Sequence, residues 1–295
     1  MRILITGHTG FIGRNLIKYL SKREKSVEII GFSRSQGLDV LNYEQVLKWT
    51  RDVDVVYHLA AYAKPAESVL HPVEAVEVNV KGTLNVLEAC RKNNFMLIYP
   101  STCEIYGNSK EPIREDHPIN PPNPYAASKA ACDRFCYTYS KVYQLDVKIV
   151  RLFNPYGPYQ QLNKIIPTFY AQAKANKPIT VYGDGSDTRD YVYIDDIVEG
   201  LWLARLLPPS EAVNLATGKA TSNLEMALLI KELLRSQSPI VFTEYPKPFG
   251  GIRYQVGCYE KAKKMMGWEP KVDLREGVKR TIAWLDSLSG EVHEP

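Results

Sequence analysis

A strand that breaks into a glycine loop and then at once into a helix constrains this chain more than any other stretch. Residues 2–6 (Arg-Ile-Leu-Ile-Thr) form a short apolar run, Gly7-His8-Thr9-Gly10-Phe11-Ile12-Gly13 follows, and a helical pattern continues through Leu20. That order predicts the opening unit of a parallel α/β sheet with a diphosphate at the helix N-terminus, where free amides and the dipole favour anions. Gly7 permits the tight turn, Gly10 lets backbone approach the ligand, and Gly13 lets the helix lie close to the strand. With Phe11 and Ile12 they make the expected cofactor loop.

A second strand is expected over Val27 to Phe32, ending in Ser33-Arg34-Ser35. An acid at that edge would select a ribose 2′-hydroxyl, whereas Arg accommodates a 2′-phosphate. Ser33 and Arg34 therefore favour NADP, with NAD possible; the other reading of Arg34 is a solvated loop residue. Asp39 and Val40 suit an adenine edge. Residues 54–61 read as a buried parallel strand whose Leu59, Ala60 and Ala61 permit close cofactor approach. His58 within it reads as a packed core residue. A helix over 73–92 carries Asn79, placed with the cofactor residues. Strand Phe95–Tyr99 then delivers Thr102 and Glu104 to its carboxyl end, the rim where ligands sit in open α/β sheets.

Tyr125 and Lys129 stand four residues apart at the head of a helix, hence on one face. A phenol with a pKa of about 10 needs roughly 3 units, or about 4 kcal/mol, to become a base at neutral pH. One ammonium about 4 Å away at an effective dielectric of about 20 supplies roughly that. Tyr-x-x-x-Lys alone is common by chance; the motifs upstream give it weight.

At 295 residues with 45% hydrophobic content, the chain holds one large or two modest domains. A net charge of +4 from scattered cations argues against nucleic acid but admits a small anionic ligand. Five cysteines, an odd number without metal-ligand spacing, read as buried thiols. Asp195-Asp196 reads as a helix cap with an acidic first turn, and no metal is expected. No apolar run approaches the roughly 20 residues that span a bilayer. With no signal-peptide layout either, the chain reads as soluble and cytoplasmic.

Gly7-x-x-Gly10-x-x-Gly13, Leu59-Ala60-Ala61, residues 101–107 and Tyr125-x-x-x-Lys129 arrive in an order that resembles the extended short-chain dehydrogenase/reductases, specifically the nucleotide-sugar epimerase/dehydratase family. The resemblance continues through residues 151–158, 182–191, Arg253 and 261–268, and covers the chain to about Leu285. It implies a Rossmann doubly wound parallel sheet over residues 1–158, with its last strand at Asp146–Arg151. A smaller, partly interleaved α/β substrate-binding domain would occupy 159–286, ahead of a polar tail over 287–295.

Carried over by residue, the resemblance makes Tyr125 the acid/base on a sugar hydroxyl and Lys129 the group that lowers its pKa and holds the nicotinamide ribose. Thr102 bonds the same sugar oxygen. Asn154, Arg189 and Arg253 reach the substrate, the arginines as a diphosphate clamp. Glu104 either handles a proton beside a new ketone or orders its loop. Cys103 stands where the family's dTDP-glucose dehydratases carry Asp, and Tyr159 where the family often has Arg. The implied activity is oxidation of a nucleotide-diphosphate sugar at C4 with return of the hydride; the alternative is NADPH-dependent reduction of a 4-keto nucleotide sugar. Helices 73–92 and 126–141 imply a homodimer.

Overall fold

Five strands of the first half lie parallel in the structure, a computed structural model that describes residues 1–23, 26–245, 247 and 251–290. They are β1 (Arg2–Thr6), β2 (Glu28–Phe32), β3 (Val55–His58), β4 (Met96–Thr102) and β5 (Val147–Leu152). Side chains alternate along each strand, so the sheet has two apolar faces. Ile3, Ile5, Tyr57, Ile98 and Val150 belong to one core cluster, and Leu4, Val56, Leu97, Tyr99 and Ile149 to the other. A sheet covered on both faces explains why these strands read as unbroken apolar runs.

The sheet does not end at β5. Strand Ala212–Leu215, assigned from sequence to the smaller domain, pairs parallel with β5, Ala212 opposite Ile149 and Leu215 opposite Leu152. The spatial order is Ala212–Leu215, β5, β4, β3, β1, β2. Without that sixth strand, the buried edge of β5 would carry a row of unpaired amides and carbonyls. Helix Ile194–Leu203 packs on the first helix, α1 (Phe11–Arg23), so the second half also helps cover the sheet. The strand order reverses between β1 and β3, which opens a crevice beyond their carboxyl ends.

Beyond β5 the described residues make three small two-stranded pairings, among them Ile179–Tyr182 with Ile240–Thr243 and Thr188–Arg189 with Thr221–Ser222. The expected helix over 73–92 is three pieces, Pro72–Val76, a π-turn Glu77–Lys81 and Gly82–Asn93. The tail expected from 287 is helical at first, because Leu274–Gly290 is one helix; residues 291–295 lie outside the described residues. Asp195 and Asp196 occupy the first turn of helix Ile194–Leu203, but its cap is Tyr193. Asp196 accepts from the amides of Lys271 and Val272 at 3.1 and 3.0 Å. All five cysteines are free thiols, four of them buried. Among the described residues no helix is long and apolar enough to cross a membrane.

Candidate active site

A cavity of about 780 Å³ opens along the carboxyl ends of the strands, from the glycine loop to Tyr125 and Arg189. Gly7 has φ +67°, and a Cβ there would lie 2.8 Å from the Ala60 amide nitrogen. The turn and the close approach of residues 59–61 therefore require the same glycine. At Gly13 a Cβ would fall 2.6 Å from His8 Cα and 2.7 Å from the Gly7 carbonyl oxygen. The third glycine closes the loop on itself rather than seating the helix on the strand.

Gly7, Gly10, Phe11, Ile12 and Gly13 line one end of the cavity, as do Ser33, Arg34, Asp39 and Val40, with Leu59, Ala60 and Ala61 between. Ser33 Oγ shares a hydrogen bond with Ser35 Oγ (2.8 Å), and Arg34 is exposed at the start of a short 3₁₀ turn. Asn79 departs from its expected place. It lies in the π-turn with its amide engaged, accepting from Tyr62 N (2.7 Å) and donating to Ser128 Oγ (2.8 Å). It ties the loop after β3 to the Tyr125 helix instead of walling the cavity. π-Turns of this kind recur beside functional sites.

At the other end, Thr102 is the last residue of β4 and caps the turn Cys103–Tyr106, its Oγ1 accepting from Glu104 N at 3.3 Å. Its hydroxyl lies near the Tyr125 phenol and favours the ionised form of that group. Helix Pro124–Tyr143 starts at Asn123, whose Oδ1 accepts from Ala126 N (2.8 Å), and carries Tyr125 and Lys129 one turn apart. Lys129 donates to the Pro100 carbonyl (2.7 Å), with its ammonium 4.2 Å from the centroid of Tyr99.

The electrostatics differ from the sequence expectation. Burial pushes the Tyr125 phenol well above the ordinary value, the Glu104 carboxylate adds to that, and the Thr102 hydroxyl opposes it. Lys129 is bonded to Pro100 and stands over the Tyr99 ring, and burial depresses its own pKa. Burial also raises Glu104, against a hydrogen bond from Asn123 Nδ2 (3.2 Å) and the charges of Arg189 and Lys164. Burial drives all three groups toward their uncharged forms. His58 is a core residue: it bonds Thr6 and Thr83 at 2.8 and 3.2 Å, and burial lowers its pKa to about 3.

Asn154 and Arg189 reach the cavity wall. Asn154 Nδ2 donates to the Asp190 carbonyl (3.4 Å), and Arg189 donates to the carbonyls of Thr188 (2.8 Å) and Ile252. Arg253 is placed elsewhere. Its backbone pairs with Thr188, but the exposed guanidinium sits 4.9 Å from the Tyr245 ring centroid, outside the wall. Lys164, Gln160 and Gln161 line the wall without having been singled out from sequence. Asn123 was missed too, although Asn before Pro at a helix start is a capping signature.

These residues fit an adenine dinucleotide on structural grounds: a loop whose glycines leave no room for side chains, a helix start behind it, and one cavity running to Tyr125. Such a sheet, cradle and Thr-Tyr-Lys rim define an extended short-chain dehydrogenase/reductase. More particularly, residues 3–216 match the NAD dependent epimerase/dehydratase family, and the chain belongs to it. It is similar to UDP-glucuronic acid decarboxylase 1 of Danio rerio, 33% identical over 96% of this chain and 72% of that protein. It is likewise similar to UDP-glucuronate 4-epimerase of Thermodesulfobacterium geofontis, 32% identical over 95% of each. Among solved structures, UDP-glucuronic acid 4-epimerase from Bacillus cereus in complex with UDP-glucuronic acid and NAD superposes with a TM-score of 0.91 at 27% identity, covering 98% of this chain and 100% of that one. The resemblance read from the motifs is borne out, and the protein is an enzyme of this NAD-dependent family.

Proposed function

We propose that the protein oxidises a nucleotide-diphosphate sugar at C4 and returns the hydride after epimerisation or dehydration. The observation that carries this reading is the convergence of Thr102, Glu104, Tyr125 and Lys129 on one end of the cavity whose other end is the glycine loop. Hydride acceptance and return are what the nicotinamide of a dinucleotide bound along that cavity would supply. Thr102 and Tyr125 hold the C4 oxygen between two hydroxyls, Tyr125 taking its proton as C4 is oxidised and giving one back on return. Lys129 holds the nicotinamide ribose. Glu104 handles the proton beside the C4 ketone, and Asn154 and Arg189 hold the substrate. Tyr125→Phe tests the assignment: turnover falls by roughly 10²–10⁴-fold with folding intact, and near-wild-type activity refutes it.

A net reductase of a 4-keto nucleotide sugar is the second reading. It rests on Ser33 and Arg34 at the cofactor end of the cavity and on Glu104 beside Cys103 rather than beside an acid. Stoichiometric consumption of reduced cofactor supports that reading, and firmly bound cofactor without net consumption supports the first.

Ser33 and Arg34 at the end of β2 support NADP over NAD. Thermal-shift panels with each dinucleotide test this, because ligands stabilise by mass action. The family helices also support a homodimer: Leu70, Val73 and Val76 are exposed near one helix, and Phe135, Tyr137 and Val142 on the other. A monomer by light scattering at micromolar concentration would contradict it. We place the enzyme in the cytoplasm, where free thiols stay reduced.

A further inference from the structure

Asn123 uses both ends of one amide, and the two ends meet different parts of the site. Oδ1 accepts from Ala126 N (2.8 Å) and caps helix Pro124–Tyr143, while Nδ2 donates to Glu104 Oε2 (3.2 Å). The side chain is buried, 6% exposed. The cap requires an acceptor and the carboxylate a donor, so the two bonds together fix which end of the amide is which. With Oδ1 held by the cap, the NH₂ end of the same amide is turned to Glu104. Ser, Thr and Asp cap helices as well as Asn does. Of the strong capping residues, only Asn adds an amide NH₂ beside the accepting oxygen.

We propose that Asn123 is a positioning residue: the cap that starts the catalytic helix also aims Glu104 at the substrate, holding Glu104 and Tyr125 in register. This rests on the reading of those two residues as the proton-handling groups. Other elements bring charge or titratable groups to Glu104 as well. Arg189 faces it from strand Thr188–Arg189, Lys164 from the start of helix Ile165–Lys174, and Tyr125 and Cys103 lie alongside. Burial disfavours the ionised carboxylate, whereas the Asn123 bond and the two cations favour it. Removing the amide therefore shifts Glu104 toward its protonated form.

The test uses the full chain with Asn123→Ser and Asn123→Asp, which retain a capping oxygen, and thermal midpoints confirm that each variant folds. Carboxyl ¹³C NMR titration follows Glu104, its resonance assigned by loss in Glu104→Gln. In Asn123→Ser the Glu104 midpoint rises by about one pH unit. In Asn123→Asp it rises further, because two carboxylates share the site. The limb of the kcat profile that reports Glu104 moves with it, and KM for the nucleotide sugar stays near the wild-type value. An unmoved Glu104 midpoint in either folded variant overturns the proposal. The titration needs no turnover, so a wild-type chain inert toward every nucleotide sugar would refute the reading of the site while the titration still decides the contact.

Discussion

Helix Pro124–Tyr143 carries two buried charged clusters one turn apart, and they behave in opposite ways. Around Lys129, the ammonium, the Tyr125 phenol and the Glu104 carboxyl are each pushed by burial toward the uncharged form. Around Asp133, four residues on, the charges are locked in. Asp133 receives Arg151 Nε and Nη2 at 2.9 and 3.0 Å. Arg151 Nη1 also donates to Tyr106 Oη (2.7 Å) and the Glu115 carbonyl (2.9 Å), and Tyr106 donates to Asn214 Oδ1 (2.9 Å). Burial alone would raise the Asp133 carboxyl, but the bonds from Arg151 and Arg134 hold it below the ordinary range. Arg151 is raised although burial opposes it, because Asp133 outweighs that cost. The second cluster is closed: its charges bond one another and tie β5 and strand Ala212–Leu215 to the helix. The first opens onto a cavity with its charge incompletely compensated, so its protons are free to move. Burial is common to both; the completeness of the partner set separates structure from chemistry.

The largest expected effect breaks the closed cluster. Asp133→Ala strands the Arg151 guanidinium and costs about 3–5 kcal/mol in denaturant unfolding; a loss below about 1 kcal/mol would erase the contrast. The open cluster answers in rate. Tyr125→Phe lowers kcat by roughly 10²–10⁴-fold with little change in thermal midpoint. The pH dependences run in opposite senses. The contribution of Asp133 is present above the ordinary carboxyl range and is lost as pH falls through its depressed native value. That of Glu104, whose native value is raised, is complete below the ordinary range and is lost as pH rises through the native value. Glu104→Gln is therefore expected to raise the thermal midpoint modestly at pH 8 and not at pH 4. The smallest effect is Arg34→Ala, which lowers the NADP-over-NAD preference by about tenfold in affinity.

Only the open half of this contrast could be read from the chain. The strand, glycine loop and helix at residues 2–20 were legible because each is a local consequence of residue type. Tyr125 and Lys129 were legible because helical spacing places them on one face. What escaped depends on contacts between distant segments. Val213 and Leu215 look like any short apolar run until β5 needs a partner for its edge. Asn79 carries no mark in the sequence that its amide will be consumed by Tyr62 and Ser128. Arg253 and Arg189 look equivalent in sequence, but only Arg189 faces the cavity. The contacts of Lys129 with Pro100 and Tyr99 were invisible for the same reason, because both partners lie on strand β4.

Hydride transfer from C4 is open to direct observation by rapid-mixing absorbance. Wild-type enzyme with bound oxidised dinucleotide is mixed with nucleotide sugars bearing hydrogen or deuterium at C4. A reduced-nicotinamide signal is expected that deuterium slows and that Tyr125→Phe lacks. No signal with any UDP-, GDP-, dTDP- or CDP-sugar, or one indifferent to deuterium, would contradict that transfer.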